Sequence, residues 1–230
     1  MINSYLKYIF TFWFIACGLN AYSQKEVINW SGLQKYSVDN IAIGKASVVF
    51  MGNSITENWV KYHPEFFKEN NYTGRGISGH TSYQFLLRFR EDVIKLNPRI
   101  VIINAGTNDI AENCGPYVEE YTFGNIISMV ELAQSNGIKV IMSSVLPALA
   151  FKWNPSVKDA VAKIQSLNKR LKEYAVKNDI PYIDYYDKMV DSADGSMCVD
   201  YTKDGVHPNL KGYLVMESIV KPFIERCMKQ

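Results

Sequence analysis

The sequence predicts an α/β fold in which a parallel sheet is covered by helices on both faces, and three observations carry that prediction. Short apolar runs, too brief to make a helix face, recur along the chain and read as strands buried on both sides. The segments between them carry apolar residues every three or four positions, the period of a helix. Strands alternating with helices pair in parallel, because each crossover brings the chain back to the same edge of the sheet.

In chain order, the first two dozen residues read as a leader. Lys7 precedes an apolar run from Tyr8 to Cys17, and Ala21-Tyr22-Ser23 offers small residues where a signal peptidase reads them. Residues 1–23 are therefore expected to be a secretory signal, cut between Ser23 and Gln24. The run falls short of the roughly 20 apolar residues a membrane span needs, so no stable membrane insertion is expected once the signal is gone. A second reading is a lipoprotein signal, with Phe14-Ile15-Ala16 before an anchored Cys17. The remainder, 24–230, is long enough for one domain with a sizeable core, exported to the periplasm or outside the cell.

Composition narrows the partners. The 25 Lys and Arg residues nearly balance 23 Asp and Glu, without a basic stripe, which argues against nucleic acid and anionic membrane. Past the leader lie Cys114, Cys198 and Cys227. An odd number permits at most one internal bridge, and Cys114 with Cys198 are read either as that bridge or as free thiols. No CxxC and no grouping of His with Cys is present in the sequence, so neither a metal nor a cofactor is expected.

Val27 to Lys45, without a clear period, is expected to pack over the sheet. The candidate strands are Val48 to Met51, Tyr72 to Ile77, Ile100 to Ile103, Lys139 to Ser143 and Ile180 to Asp184. Helical periods run through Tyr83 to Leu96, Val118 to Ala133, and Val157 to Tyr174, the last with Pro155-Ser156 as a start signal. A final helix is expected to start near Pro208 and to kink or break at Pro222.

Ser54 stands on the turn after the first strand, at the sheet edge where α/β folds bind ligands. Two readings compete there: a nucleophile, or the cap of a Ser54-Ile55-Thr56-Glu57 capping box. A serine nucleophile needs a base and donors for an oxyanion. Of the three histidines, His63 before Pro64 reads as a solvated turn residue. His207 lies three residues after Asp204, in Asp204-Gly205-Val206-His207-Pro208, where a glycine turn folds the carboxylate back onto the ring. Donors are offered by Gly76-Ile77-Ser78-Gly79 after the second strand and Gly106-Thr107-Asn108-Asp109 after the third.

With these blocks in order, the chain resembles the SGNH (GDSL-like) hydrolase superfamily, serine esterases with a carbohydrate acetylesterase-like branch. The resemblance implies a three-layer α/β/α flavodoxin-like sandwich with a five-stranded parallel sheet. It also implies Ser54 as nucleophile, His207 as base, Asp204 as its orienting acid, and an oxyanion hole from Ser54, Gly79 and Asn108. Asn53 replaces the family's usual Asp, and His80 stands where many relatives have Asp or Gln. Removal of acetyl or other short acyl groups from a glycan or small molecule is the expected activity. The alternatives are a lysophospholipase-like or thioesterase-like acyl hydrolase and an inactive glycan-binding module. Trp153, on the loop after the fourth strand, either contacts substrate or packs within its own loop.

Overall fold

The computed structural model of the chain describes residues 24–229, so the expected signal segment, residues 1–23, lies outside the described residues. Five parallel strands form one sheet in the order β2-β1-β3-β4-β5. They are β1 (Val48–Gly52), β2 (Tyr72–Gly76), β3 (Ile100–Ile103), β4 (Lys139–Ser143) and β5 (Tyr182–Ile183). The fifth is shorter than expected. Pro181 has no N–H to give the ladder, and Asp184 leaves it to cap the helix Tyr185–Met189, accepting from Asp187 N–H.

Side chains that alternate across the strands divide the core in two. Val49, Met51, Val101, Ile103, Val140 and Met142 pack with the helices Ser82–Asp92, Glu119–Ser135 and Ala160–Lys177. Val48, Phe50, Ile100, Ile102 and Ile141 pack with Ser54–Tyr62, Pro64–Glu69 and Leu210–Lys229 on the other face. With both faces covered the strands read as unbroken apolar runs, which is why they were visible in the sequence.

Three expectations are corrected. Leu210–Lys229 does not break at Pro222: Ser218 and Pro222 are exposed, where water can take the carbonyl that loses its partner. Pro155-Ser156 forms a turn and the helix starts later, at Ala160, because Asn154 is held by its amide to the Ala111 carbonyl at 3.0 Å. The segment after the leader, helical at 24–31 and at Ser37–Ile43, does not lie across the sheet, whose faces are full. It docks instead beside β2: Gln84 Nε2 donates to Trp30 O at 2.8 Å, Arg75 Nε to Asn40 Oδ1 at 2.8 Å, and Tyr36 OH to Gly76 O.

The strand order places β2 and β3 on opposite sides of β1. The crevice at their carboxyl ends is the topological switch point, where open α/β sheets take ligands.

Candidate active site

Ser54 is the first residue of the helix Ser54–Tyr62, and Asn53 is its N-cap. The Asn53 side chain accepts from Ile55 N–H at 2.9 Å, so the orphan donor is met without the serine. The capping-box reading of Ser54 and Glu57 is therefore overturned. Glu57 accepts from Ser78 N–H at 2.7 Å and Ser78 Oγ at 2.6 Å, and pairs with Lys35 at 2.8 Å. Burial raises its carboxyl, but the bonds from Lys35, Ser78 and Lys61 outweigh that and hold it at about 2. Gly76 makes this meeting of β2 with the helix feasible, since a Cβ there would stand 2.2 Å from Glu57 N.

Relieved of capping, Ser54 Oγ lies 2.9 Å from His207 Nε2. His207 Nδ1 lies 2.7 Å from Asp204 Oδ2, while Asp204 Oδ1 accepts from His207 N–H at 2.8 Å and Val206 N–H at 2.9 Å. Thr202 Oγ1 closes the turn, accepting from Gly205 N–H at 3.0 Å and donating to His207 O at 2.8 Å. Gly205 sits at φ 88°, the left-handed conformation such a turn requires. Burial pushes the Asp204 carboxyl up. The donors from His207 and Val206 prevail and keep it at about 2, so it is a carboxylate at any ordinary pH and fixes the imidazole tautomer that presents Nε2 to the serine.

Gly79 adopts φ 79° on the loop after β2. Asn108 is buried after β3, and its Nδ2 donates one hydrogen to His80 O at 2.9 Å, leaving the second unspent among the described residues. That bond ties the third block to the Gly79 loop. Sequence reasoning missed the next link: Asn113 Nδ2 donates to Gly79 O at 3.1 Å, and Trp153 Nε1 to Asn113 Oδ1 at 2.9 Å. The Trp153 ring stands 6.1 Å from the His207 ring, backed by buried Phe151 at 5.3 Å. Trp153 thus flanks His207 and braces the loop that carries Gly79. No local signal marks Asn113, whose neighbours in sequence read as a polar loop.

Asp109, fully buried, accepts from Ser82 N–H at 3.0 Å and from the Ser82 and Thr122 hydroxyls. It anchors the start of Ser82–Asp92 behind the site. His63 is not a solvated turn residue: its Nδ1 meets Glu217 Oε1 at 2.7 Å, and buried Glu217 also accepts from Trp59 Nε1 at 2.9 Å. Cys114, Cys198 and Cys227 are unpaired thiols, so the bridge between the first two does not form.

His80 is buried, its Nδ1 has no hydrogen-bond partner among the described residues, and a Cβ on Gly32 would come within 2.5 Å of its ring. Burial pushes the imidazole down to about 4, helped by the positive charges of Arg88 and Lys35. The unfolded chain takes up this proton near 6.5 and the folded protein only near 4. The stability His80 contributes is thus complete above pH 6.5 and is lost as pH falls through about 4. Urea unfolding midpoints measured over that window are expected to fall less steeply with acid for His80→Gln than for the parent protein. Equal slopes would mean that the ring is not held neutral.

Comparison with known proteins follows the same lines. The profile of the GDSL-like Lipase/Acylhydrolase family matches residues 50–215. The chain is 59% identical to a proposed acylhydrolase of known crystal structure from Bacteroides fragilis NCTC 9343, with a TM-score of 0.85 over 86% of this chain and 97% of that one. A crystal structure of an acetyl xylan esterase is similar at 22% identity and a TM-score of 0.64, over 77% of this chain and 98% of that one, a likeness of fold alone. Among curated relatives, an uncharacterized lipoprotein of Bacillus subtilis is 28% identical over 152 residues, 54% of this chain, and the match spans 58% of that relative's length.

Proposed function

The chain belongs to the GDSL-like lipase/acylhydrolase family, and from that premise we propose that it is a serine esterase with Ser54 as nucleophile, His207 as base and Asp204 as the acid that orients the base. The observation that carries this reading is the unbroken path from Ser54 Oγ to His207 at 2.9 Å and on to Asp204 at 2.7 Å. Ser54 Oγ attacks the acyl carbon while its proton passes to His207 Nε2, and Asp204 stabilises the imidazolium. Ser54 N–H and Gly79 N–H, neither of which donates to a protein acceptor among the described residues, hold the oxyanion together with the unspent Asn108 hydrogen. As the ester C–O bond breaks, His207 gives the proton to the departing alkoxide. Water then attacks the acyl-serine, losing its proton to His207, and the free acid leaves as Ser54 recovers its own.

The substrate is an acetyl or other short acyl ester of a carbohydrate. The fold supports an acetyl xylan esterase elsewhere, and the cleft beside His207 offers the polar side chains of Asn58, Tyr62 and Lys203. Export belongs to the same proposal, with residues 1–23 as its signal and 24–230 as the hydrolase domain; among the described residues no helix is long and apolar enough to cross a membrane. Acetyl and octanoyl esters of one chromogenic alcohol separate the substrate readings. Higher kcat/KM is expected on the acetyl ester. Preference for octanoyl would replace this reading with a lysophospholipase-like or thioesterase-like one.

A further inference from the structure

Ser54, Asn58 and Tyr62 occupy successive positions four residues apart on the helix Ser54–Tyr62, so all three project from one face. From Ser54, which does not itself line it, that stripe leads to a cleft of about 540 Å³ that has Asn58, Tyr62 and His207 in its wall. A cleft of this size, within the roughly 300 to 1,000 Å³ of small-molecule sites, accommodates a sugar ring.

Much of its polar lining is already engaged. Lys211 Nζ is paired with Asp200 Oδ2 at 2.6 Å, and Asn209 spends its amide on the Asp200 carbonyl and its oxygen on Gly212 N–H. Asn58, Tyr62 and Lys203 differ: among the described residues, the Asn58 amide, the Tyr62 hydroxyl and Lys203 Nζ make no hydrogen bond or ion pair, although all three face the cleft. Tyr62 is 55% exposed, and its ring stacks against Tyr213 at 5.9 Å and 30°. Tyr213 is fully buried and fixed by its hydroxyl to Ile55 O at 2.8 Å, so the Tyr62 ring is a supported platform.

We propose that Asn58, Tyr62 and Lys203 form the subsite that holds the alcohol half of the ester, and that this half is a pyranose. The C–H face of a sugar ring stacks on an aromatic plane. Its hydroxyls pair with an amide, which both donates and accepts, and with an ammonium, which donates. The position next to His207 is where the leaving alkoxide must collect its proton. This inference rests on the reading of Ser54 and His207 as the reactive pair and deepens it by naming what binds on the leaving-group side.

The test compares acetate release from a monoacetylated methyl glucoside with release from vinyl acetate, whose alcohol half is too small to span the cleft. For Asn58→Ala and for Tyr62→Ala, the ratio of kcat/KM on the glucoside to kcat/KM on vinyl acetate is expected to fall about tenfold, the worth of one lost contact. Lys203→Ala is expected to lower the same ratio by several-fold. Circular dichroism melts show whether the variants stay folded, and Tyr62→Phe, which keeps the platform, is expected to lose less than Tyr62→Ala. A ratio unchanged in all three alanine variants overturns the subsite. So does an equal loss on both substrates. Failure of the parent protein to hydrolyse vinyl acetate is a separate result, which removes the esterase reading itself.

Discussion

Ser54→Ala is expected to lower kcat on an activated acetyl ester by on the order of 10⁴ to 10⁶ while leaving the fold in place, the range seen when a nucleophile that works as a unit with its base is removed. The packing of the site favours a clean result. Asn53, not Ser54, caps the helix, so the substitution deletes one hydroxyl without freeing a backbone donor. Its partner, His207, stays fixed by the bond to Asp204 at 2.7 Å and by the turn that Thr202 closes. Steady-state rates and a thermal melt on the same preparation check both halves of the expectation. Full activity in the alanine variant would remove the mechanism, and a collapsed melt would show that the hydroxyl is structural.

A second large effect lies behind the site. Arg88 is fully buried, donating from Nη1 to Asp92 Oδ2 at 2.7 Å and from Nη2 to Gly52 O at 2.9 Å, on the residue that ends β1 just before Asn53 and Ser54. Asp92 in turn accepts from Asn40 at 2.9 Å, and Asn40 from Arg75 at 2.8 Å, so one network joins the leading segment, β2 and the end of β1 that leads into Ser54. Arg88→Met leaves a buried carboxylate without its cation and Gly52 O without its donor. The expected cost is about 3 to 5 kcal/mol, a large share of the roughly 5 to 15 kcal/mol that holds a domain folded. Urea unfolding measures it. Adding Asp92→Leu to Arg88→Met is expected to recover part of the loss, because the uncompensated charge is then gone. A single variant within about 0.5 kcal/mol of the parent would show that this ion pair does not stabilise the end of β1.

Much of this was legible in the sequence, for identifiable reasons. Strands buried on both faces leave apolar runs such as Ile100 to Ile103, whose bounds were read correctly. Ser54, Gly79, Asn108, Asp204 and His207 could be proposed from the sequence because each stands at a fixed place in a short block, and blocks keep their order along the chain. What escaped was decided by partners far away in sequence. Asn53 or Ser54 as the cap is undecidable locally; Lys35 and Ser78, 22 and 21 residues from Glu57, draw that carboxylate away from the helix start. His63 looked solvated because its partner, Glu217, lies 154 residues on. Arg88 and Asp92 show the spacing of an ordinary surface pair, and only the docking of the leading segment against β2 and their helix reveals that they are buried. Trp153 could be read two ways, and its bond to Asn113, 40 residues away, was not visible locally.

The central claim is that a single serine carries the acyl group. Treatment with a fluorophosphonate, followed by peptide mass spectrometry, tests it most directly: one phosphonyl group on the peptide that bears Ser54, at Ser54 itself, with esterase activity lost in proportion to labelling. A label on any other residue that abolishes activity, or activity that persists when Ser54 is fully labelled, would contradict the account.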